Sequence, residues 1–287
     1  MKIAAIQMVS TPRVADNLAA AARLIRQAAG DGARLVALPE YFCLMGYSDR
    51  DKLTIAEEPG SGPIQQTLSD LAADLGLWVI GGTLPVRCEA RAGEVGERVT
   101  NSCFVYGPDG RQAARYDKIH LFRYDAGTEH YDEARVLRAG EQPIATTLEM
   151  PAGRPLRLGL SVCYDLRFPE LYRALSFMPG AAPCDLLSVP SAFTYNTGKV
   201  HWEVLLRARA IENQCFVIAP AQGGMHENTR RTWGHSLIVD PWGEILALKP
   251  EGEGVISATL DFSRLEAVRQ QLPALSHVRQ FGHNPHA

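Results

Sequence analysis

The chain has 287 residues, 46% of them hydrophobic, and a formal charge of −3 from 29 Lys and Arg against 32 Asp and Glu, so it can bury a large core without a partner. The even charge balance leaves no basic stripe for duplex or single-stranded nucleic acid, and no apolar run is long enough to span a bilayer. The opening MKIAAIQMVSTP has a very short apolar stretch and an early proline rather than a secretory signal, so the expectation is a cytoplasmic protein with no nucleic-acid or membrane partner.

Residues 2–8 are short, apolar and bounded, which predicts a buried strand. Val14, Leu18, Ala21, Ala22, Ile25 and Ala29 then recur at helical spacing up to Gly30. Further apolar strands are predicted at residues 35–38, 77–83 and 102–106, with a helix carrying Leu68, Leu71, Ala72 and Leu75 between two of them. Residues 123–152 read as polar and irregular. The order then begins again with a strand over residues 157–163, followed by an amphipathic helix with Pro169 in its first turn.

The second pass resembles the first in detail. LVALPEYF, residues 35–42, has the pattern of LLSVPSAF, residues 186–193; LWVIGG at Leu77 resembles CFVIAP at Cys215; FVYGPDG at Phe104 resembles LIVDPWG at Leu237, each with a hairpin-forming Pro-x-Gly turn. Two such halves, each a sheet backed by helices on one face, would bury their bare faces against each other. The expected fold class is therefore α/β, a four-layer α-β-β-α sandwich with internal pseudo-two-fold symmetry. No Pro/Gly/Ser-rich linker separates the halves, so residues 1–272 are expected to form a single domain, with residues 273–287 as a C-terminal tail.

The six cysteines (Cys43, Cys88, Cys103, Cys163, Cys184, Cys215) form no C-x-x-C pair, and any one of them alone reads as core filler. Cys163 is distinguished by its place at the end of a predicted strand before a helix, where the N–H of Tyr164 would be free to meet a developing oxyanion. Glu40 follows another strand end, and such carboxyl ends are where ligands bind in open α/β sheets. A cysteine with a pKa of about 8.5 needs a cation or base beside it. Of the eight histidines, His120 and His201 are best placed, although His120 in DKIHLF reads more readily as a hydrogen-bonded structural histidine. Taken alone, Lys118 is an ordinary solvated charge at a strand end.

Three segments taken together, LVALPEYF with Glu40, YDKIHLF with Lys118 and GLSVCYDLRFPEL with Cys163, resemble the nitrilase superfamily of carbon–nitrogen hydrolases from Lys2 to about Leu260. The resemblance implies a catalytic Glu40, Lys118, Cys163 triad, a thioester intermediate, an accessory glutamate at Glu133 in EHYDEAR, the same four-layer fold, and a homodimer or larger homo-oligomer. This chemistry requires no cofactor, and no H-E-x-x-H or comparable metal-ligand spacing occurs. For self-association, the segment from Trp202 carries more apolar residues than one buried stripe needs: Trp202, Leu205, Ala208 and Ile211 form a row, with Val204 and Leu206 outside it.

SVCYDLRFPELYRAL, PSAFTYNTGKVHWEVLLRARAIENQCFVIAPAQGG and GHSLIVDPWGE look most like the branch of deaminated glutathione amidases and ω-amidases. That branch implies a small acidic amide whose 2-oxoglutaryl end passes to cysteine, releasing cysteinylglycine or ammonia. Arg167 could bind a substrate carboxylate or form an internal salt bridge with Glu170. Tyr41, Thr194 and Tyr195 are candidate pocket walls, and Arg123 stands where relatives often carry an aspartate. A carbamoylase or aliphatic amidase is the enzymatic alternative. A binding protein on the same fold is disfavoured by the full triad.

Overall fold

A computed structural model describes residues 1–89, 96–127, 129–150 and 153–279. The first half runs β1 (Lys2–Gln7), α1 (Val14–Gly30), β2 (Leu35–Ala37), α2 (Asp51–Thr54), α3 (Pro63–Leu75), β3 (Trp78–Ile80), β4 (Leu84–Arg87), β5 (Val99–Tyr106), β6 (Gln112–Asp117). The first half ends in a connecting stretch that holds β7 (Arg123–Ala126), β8 (Glu129–Asp132), β9 (Leu137–Arg138) and β10 (Ala145–Leu148). The second half runs β11 (Leu156–Leu160), α4 (Pro169–Ser176), β12 (Leu186–Ser188), α5 (Tyr195–Asn213), β13 (Phe216–Ala219), β14 (Gly223–Met225), β15 (Arg231–Trp233), β16 (Ser236–Val239), β17 (Ile245–Lys249), β18 (Gly254–Thr259), α6 (Phe262–Gln271).

Successive side chains of a strand point to opposite faces, and here both faces are apolar. Ile3, Ala5, Leu35, Ala37 and Ile80 enter the core shared with the second sheet, whereas Ala4, Ile6, Val36 and Val79 pack with Leu24, Ile25 and Leu68 of α1 and α3. Leu171, Leu175, Trp202 and Leu206 of α4 and α5 close the far side of the second sheet, which completes the α-β-β-α layering.

One sheet has the order β18-β1-β2-β3-β5-β4, with β6 and β9 also on β5; the other has the order β10-β11-β12-β13-β16-β17. In each, three parallel strands are followed by an antiparallel one, so β1, β2, β3 and β5 correspond to β11, β12, β13 and β16. The edges are exchanged between halves. β10 leaves the first half to pair antiparallel with β11, and β18 leaves the second half to pair antiparallel with β1.

The structure departs from the sequence expectations in three places. Residues 123–150 contain the β7–β8 hairpin, a 3₁₀ turn at Glu133–Arg135, β9 and β10; these strands are two to four residues long, too short for alternation to show, and are defined by their partners. β11 stops at Leu160, so Cys163 lies beyond the strand in a 3₁₀ turn, Cys163–Arg167. In α5 the buried stripe is Gly198, Trp202, Leu206, Arg209, Ala210 and Asn213, so Leu206 is inside and Ile211 stands 50% exposed. The stripe lies on β13 and β15. At the expected tail, residues 274–277 form a 3₁₀ turn, and residues 280–287 lie outside the described residues. No helix among the described residues is long and apolar enough to cross a membrane.

Gly198 sits in the first turns of α5, where a methyl group would overlap the side chain of Trp233 on β15. Exchanging glycine for alanine ordinarily favours a helix by about 1 kcal/mol. Here overpacking should reverse the sign, so Gly198→Ala is expected to lower the unfolding free energy by about 1–3 kcal/mol in urea denaturation.

Candidate active site

Four segments converge where the two sheets meet. β2 runs through Pro39 into Glu40, and the chain turns at Tyr41 with φ of 55°. Beyond β11, the Cys163 N–H donates to Pro190 O at 2.9 Å, extending the parallel register before the backbone turns left-handed at Cys163, φ 50°. Positive φ at two non-glycine residues is uncommon and marks positions held by their surroundings. Lys118 follows β6 directly and is pinned by its N–H to Asn101 O at 3.0 Å and by Gly140 N–H to its own carbonyl at 2.8 Å. Glu133 opens its 3₁₀ turn with an N–H to Phe122 O at 3.0 Å.

Lys118 is fully buried, and its Nζ donates to Glu40 Oε1 at 2.9 Å and to Glu133 Oε1 and Oε2 at 3.1 and 2.8 Å. A buried ammonium persists only when paired and hydrogen-bonded. Burial works against the charge, but Glu133 and then Glu40 outweigh it, and the lysine pKa stands raised above its ordinary value. Glu133 also accepts from Tyr41 Oη at 2.6 Å and from the Phe122 N–H at 2.7 Å; burial opposes its charge, yet Lys118 and these donors hold its pKa below the usual carboxylate range. Both oxygens of Glu40 accept hydrogen bonds: Oε1 also accepts from Asn101 Nδ2 at 3.0 Å, and Oε2 accepts from the Ala192 N–H at 3.0 Å.

Burial, followed by the Glu40 carboxylate, pushes the Cys163 thiol well above the usual thiol range, while Lys118 and the Ala192 N–H pull the other way without prevailing. The resting pair is therefore a thiol beside the Glu40 carboxylate. The Tyr164 N–H precedes the first acceptor of the Cys163–Arg167 turn, so the turn itself offers it no carbonyl. Neither histidine is bonded to the thiol. His120 Nδ1 and N–H both bond Asp165 Oδ1, at 2.7 and 3.0 Å, and its ring stacks on Phe168, while His201 Nδ1 lies 3.1 Å from Arg167.

Cys163, Glu40 and Glu133 face a narrow chamber of about 20 Å³, whose walls include Tyr41, Tyr164, Arg167 and Thr194. It opens beside an outer chamber of about 540 Å³, with Tyr41, Thr194 and Arg230 common to both. Tyr195 lines only the outer chamber, and Arg123 is exposed and lines neither. Arg167 forms no ion pair with Glu170 among the described residues; its guanidinium lies over the Tyr164 and Phe193 rings, 5.9 and 5.3 Å from their centroids. Arg230, which sequence reasoning missed, donates to Ala192 O at 3.2 Å, has no carboxylate partner among the described residues, and buries an unpartnered Nε. It sits in a polar loop without periodicity, and nothing in its local sequence marks it. No group of three or more His, Cys, Asp or Glu among the described residues is placed to hold a metal ion.

Removing the ammonium leaves two buried carboxylates facing each other, so Lys118→Met is expected to cost about 3–5 kcal/mol at pH 7. Glu133 has a lowered folded pKa, so its contribution is present above the ordinary carboxylate pKa and lost as pH falls through the folded value. Lys118 has a raised one, so its contribution is full below the ordinary lysine pKa of about 10.4. Urea denaturation at pH 7 and pH 4 should therefore show the deficit of the variant shrinking toward acid, where its carboxylates take up protons.

The chain matches the carbon-nitrogen hydrolase family model over residues 2–270. It is 43% identical over 276 residues to a deaminated glutathione amidase of Synechocystis sp., covering 96% of each chain. It is 36% identical over 280 residues to the human omega-amidase NIT2, covering 97% of this chain and 95% of the relative. Among solved structures, it superposes on the C. elegans NitFhit protein with a TM-score of 0.82 at 36% identity, covering 97% of this chain and 65% of that one. The chain belongs to the carbon-nitrogen hydrolase family.

Proposed function

We propose that this chain hydrolyses a small acidic amide, in the first place deaminated glutathione, giving 2-oxoglutarate and cysteinylglycine. The observation that carries the substrate class is the pair of guanidinium groups, Arg167 and Arg230, which line the chamber of Cys163 with no carboxylate of their own among the described residues. Buried or half-buried guanidinium without an acid suits a bidentate carboxylate ligand. The reaction class rests on Cys163 with Glu40 and Lys118 around it. Similarity to an omega-amidase supports a second reading, in which ammonia leaves from 2-oxoglutaramate.

In this mechanism the Cys163 Sγ attacks the amide carbonyl carbon as Glu40 accepts the thiol proton. The oxyanion is met by Lys118 Nζ and the Tyr164 N–H, a kind of stabilisation worth about 3–4 kcal/mol per donor in other hydrolases. Collapse breaks the carbon–nitrogen bond, Glu40 returns the proton to the departing amine, and a thioester remains. Water then attacks the thioester carbonyl, giving its proton to Glu40, and the thiol leaves with that proton. Glu133 and Tyr41 keep the ammonium aimed, and Thr194 with Arg167 receives the acyl carboxylate.

We further propose a cytoplasmic homodimer. Val200, Val204 and Ile211 line the exposed side of α5, at 65, 67 and 50% exposure, and Arg207 Nε, bonded to Gly243 O at 2.8 Å, joins that side to the half-exposed Trp242. A single apolar face of this kind suits a self-complementary contact. Light scattering at micromolar concentration should show a dimer, with Val204→Asp shifting it toward monomer.

Cys163→Ala should reduce release of 2-oxoglutarate from deaminated glutathione by roughly 10³-fold or more, and mass spectrometry of the quenched wild type should find the acyl adduct on the Cys163 peptide, with the Cys43 and Cys215 peptides unmodified. Turnover that survives in Cys163→Ala would sink the mechanism. Carbon dioxide and ammonia appearing from an N-carbamoyl compound, with no 2-oxoglutarate from either acidic amide, would replace it with a carbamoylase.

A further inference from the structure

The outer chamber, about 540 Å³ against about 20 Å³ for the chamber around the thiol, is more than an ammonia exit requires. Its lining is cationic and aromatic. Lys52, Arg230 and Arg231 face it, with Asp49 the sole carboxylate among its lining residues. Lys52 Nζ pairs with Asp49 at 2.6 Å and stands 4.8 Å over the Tyr41 ring, so it is held above the wall that separates the chambers. The Arg231 guanidinium lies 3.8 Å over the Tyr195 ring and reaches Glu251 at 2.9 Å, its side chain 43% exposed. At the shared rim, the Thr194 hydroxyl bonds Thr197 Oγ1 at 2.8 Å and caps no backbone N–H at the start of α5.

The geometry points to the outer chamber as a leaving-group subsite for an amine that carries its own carboxylate, bound by Lys52 and Arg231. This rests on the amidase reading above. The scissile bond sits at Cys163, the acyl carboxylate goes inward to Arg167, and the departing half extends past Tyr41 and Thr194 into the wider space. Two residues of extended chain reach about 7 Å. A dipeptide-sized amine thus carries its terminal carboxylate out of the narrow chamber and among the outer cations, and its flat peptide group finds the tyrosine walls. Ammonia makes none of these contacts. The subsite consequently favours a dianionic amide over the primary amide of the same acyl group.

Three substrates separate the possibilities: 2-oxoglutaryl-cysteinylglycine, the same compound with a C-terminal carboxamide, and 2-oxoglutaramate. For the Lys52→Gln/Arg231→Gln variant, KM for the free acid should rise by roughly tenfold, as expected for losing charge-assisted hydrogen bonds. Its kcat/KM for 2-oxoglutaramate and for the carboxamide should stay within about twofold of wild type. The unaltered protein should itself prefer the free acid over the carboxamide by the same factor, a comparison that no folding defect can disturb. Equal preference for acid and carboxamide in the wild type, or an equal loss on all three substrates in the variant, would overturn the subsite. Wild type that cleaves 2-oxoglutaramate but neither dipeptide would overturn it too while leaving an ω-amidase standing. No 2-oxoglutarate from any of the three would instead overturn the amidase reading on which it rests.

Discussion

The arrangement depends on one buried cation. Lys118 has no access to water, and moving an ammonium into such surroundings costs several kcal/mol unless opposite charges and good hydrogen bonds meet it. Glu40 and Glu133 meet it from separate parts of the chain, one after β2 and the other in the turn after β8. With two carboxylates to one ammonium, the cluster keeps a negative surplus, and that surplus together with burial explains why Cys163 rests as a thiol despite a lysine nearby. In the proposed mechanism, proton removal is thereby tied to the moment of attack. A permanent thiolate would need a net positive surrounding, which this cluster is not.

The duplicated architecture accounts for where the cluster forms. LVALPEYF and LLSVPSAF put Pro39 and Pro190 at the ends of equivalent strands, and the chains that leave them meet across the junction, where Glu40 Oε2 accepts from the Ala192 N–H. Gln222, from the second half, crosses the junction as well, donating to Glu40 O at 3.1 Å and to Ser10 Oγ at 2.7 Å. Exchange of β10 and β18 between the sheets covers the outer edge strand of each parallel set with a strand from the other half. Neither half closes its sheet alone, so the carboxyl ends of both are held in register.

This geometry explains what could be read from the residues and what could not. The layering was legible because buried strands and amphipathic helices carry their period in the chain, and Glu40, Lys118 and Cys163 were legible because they stand in motifs of several residues each. Arg230 was not, since its position depends on Ala192 O and on the Met45 sulfur, 3.9 Å away and far along the chain. Neither was β10, whose place follows from pairing with β11 rather than from its own composition. The side of α5 turned inward was misjudged for a related reason: a helix with apolar residues on two sides does not say which one has a sheet beneath it.

Asp165 connects the parts that function must keep aligned. Wholly buried, it accepts from the Val162 N–H at 2.8 Å and the Tyr116 hydroxyl at 2.8 Å through Oδ2, and from both His120 nitrogen donors through Oδ1. Val162 precedes Cys163, and Tyr116 and His120 stand two residues to either side of Lys118. One carboxylate therefore fixes the turn that carries the thiol against the strand end that carries the ammonium. A buried charge with four donors is costly to displace, so rigidity is concentrated where a shift of an ångström would matter most to chemistry. His120, the residue whose type most suggested a base, acts on the site through this strut. In the proposed mechanism the Cys163 thiol then has Glu40 as its proton acceptor, and the two halves of the fold are what bring them together.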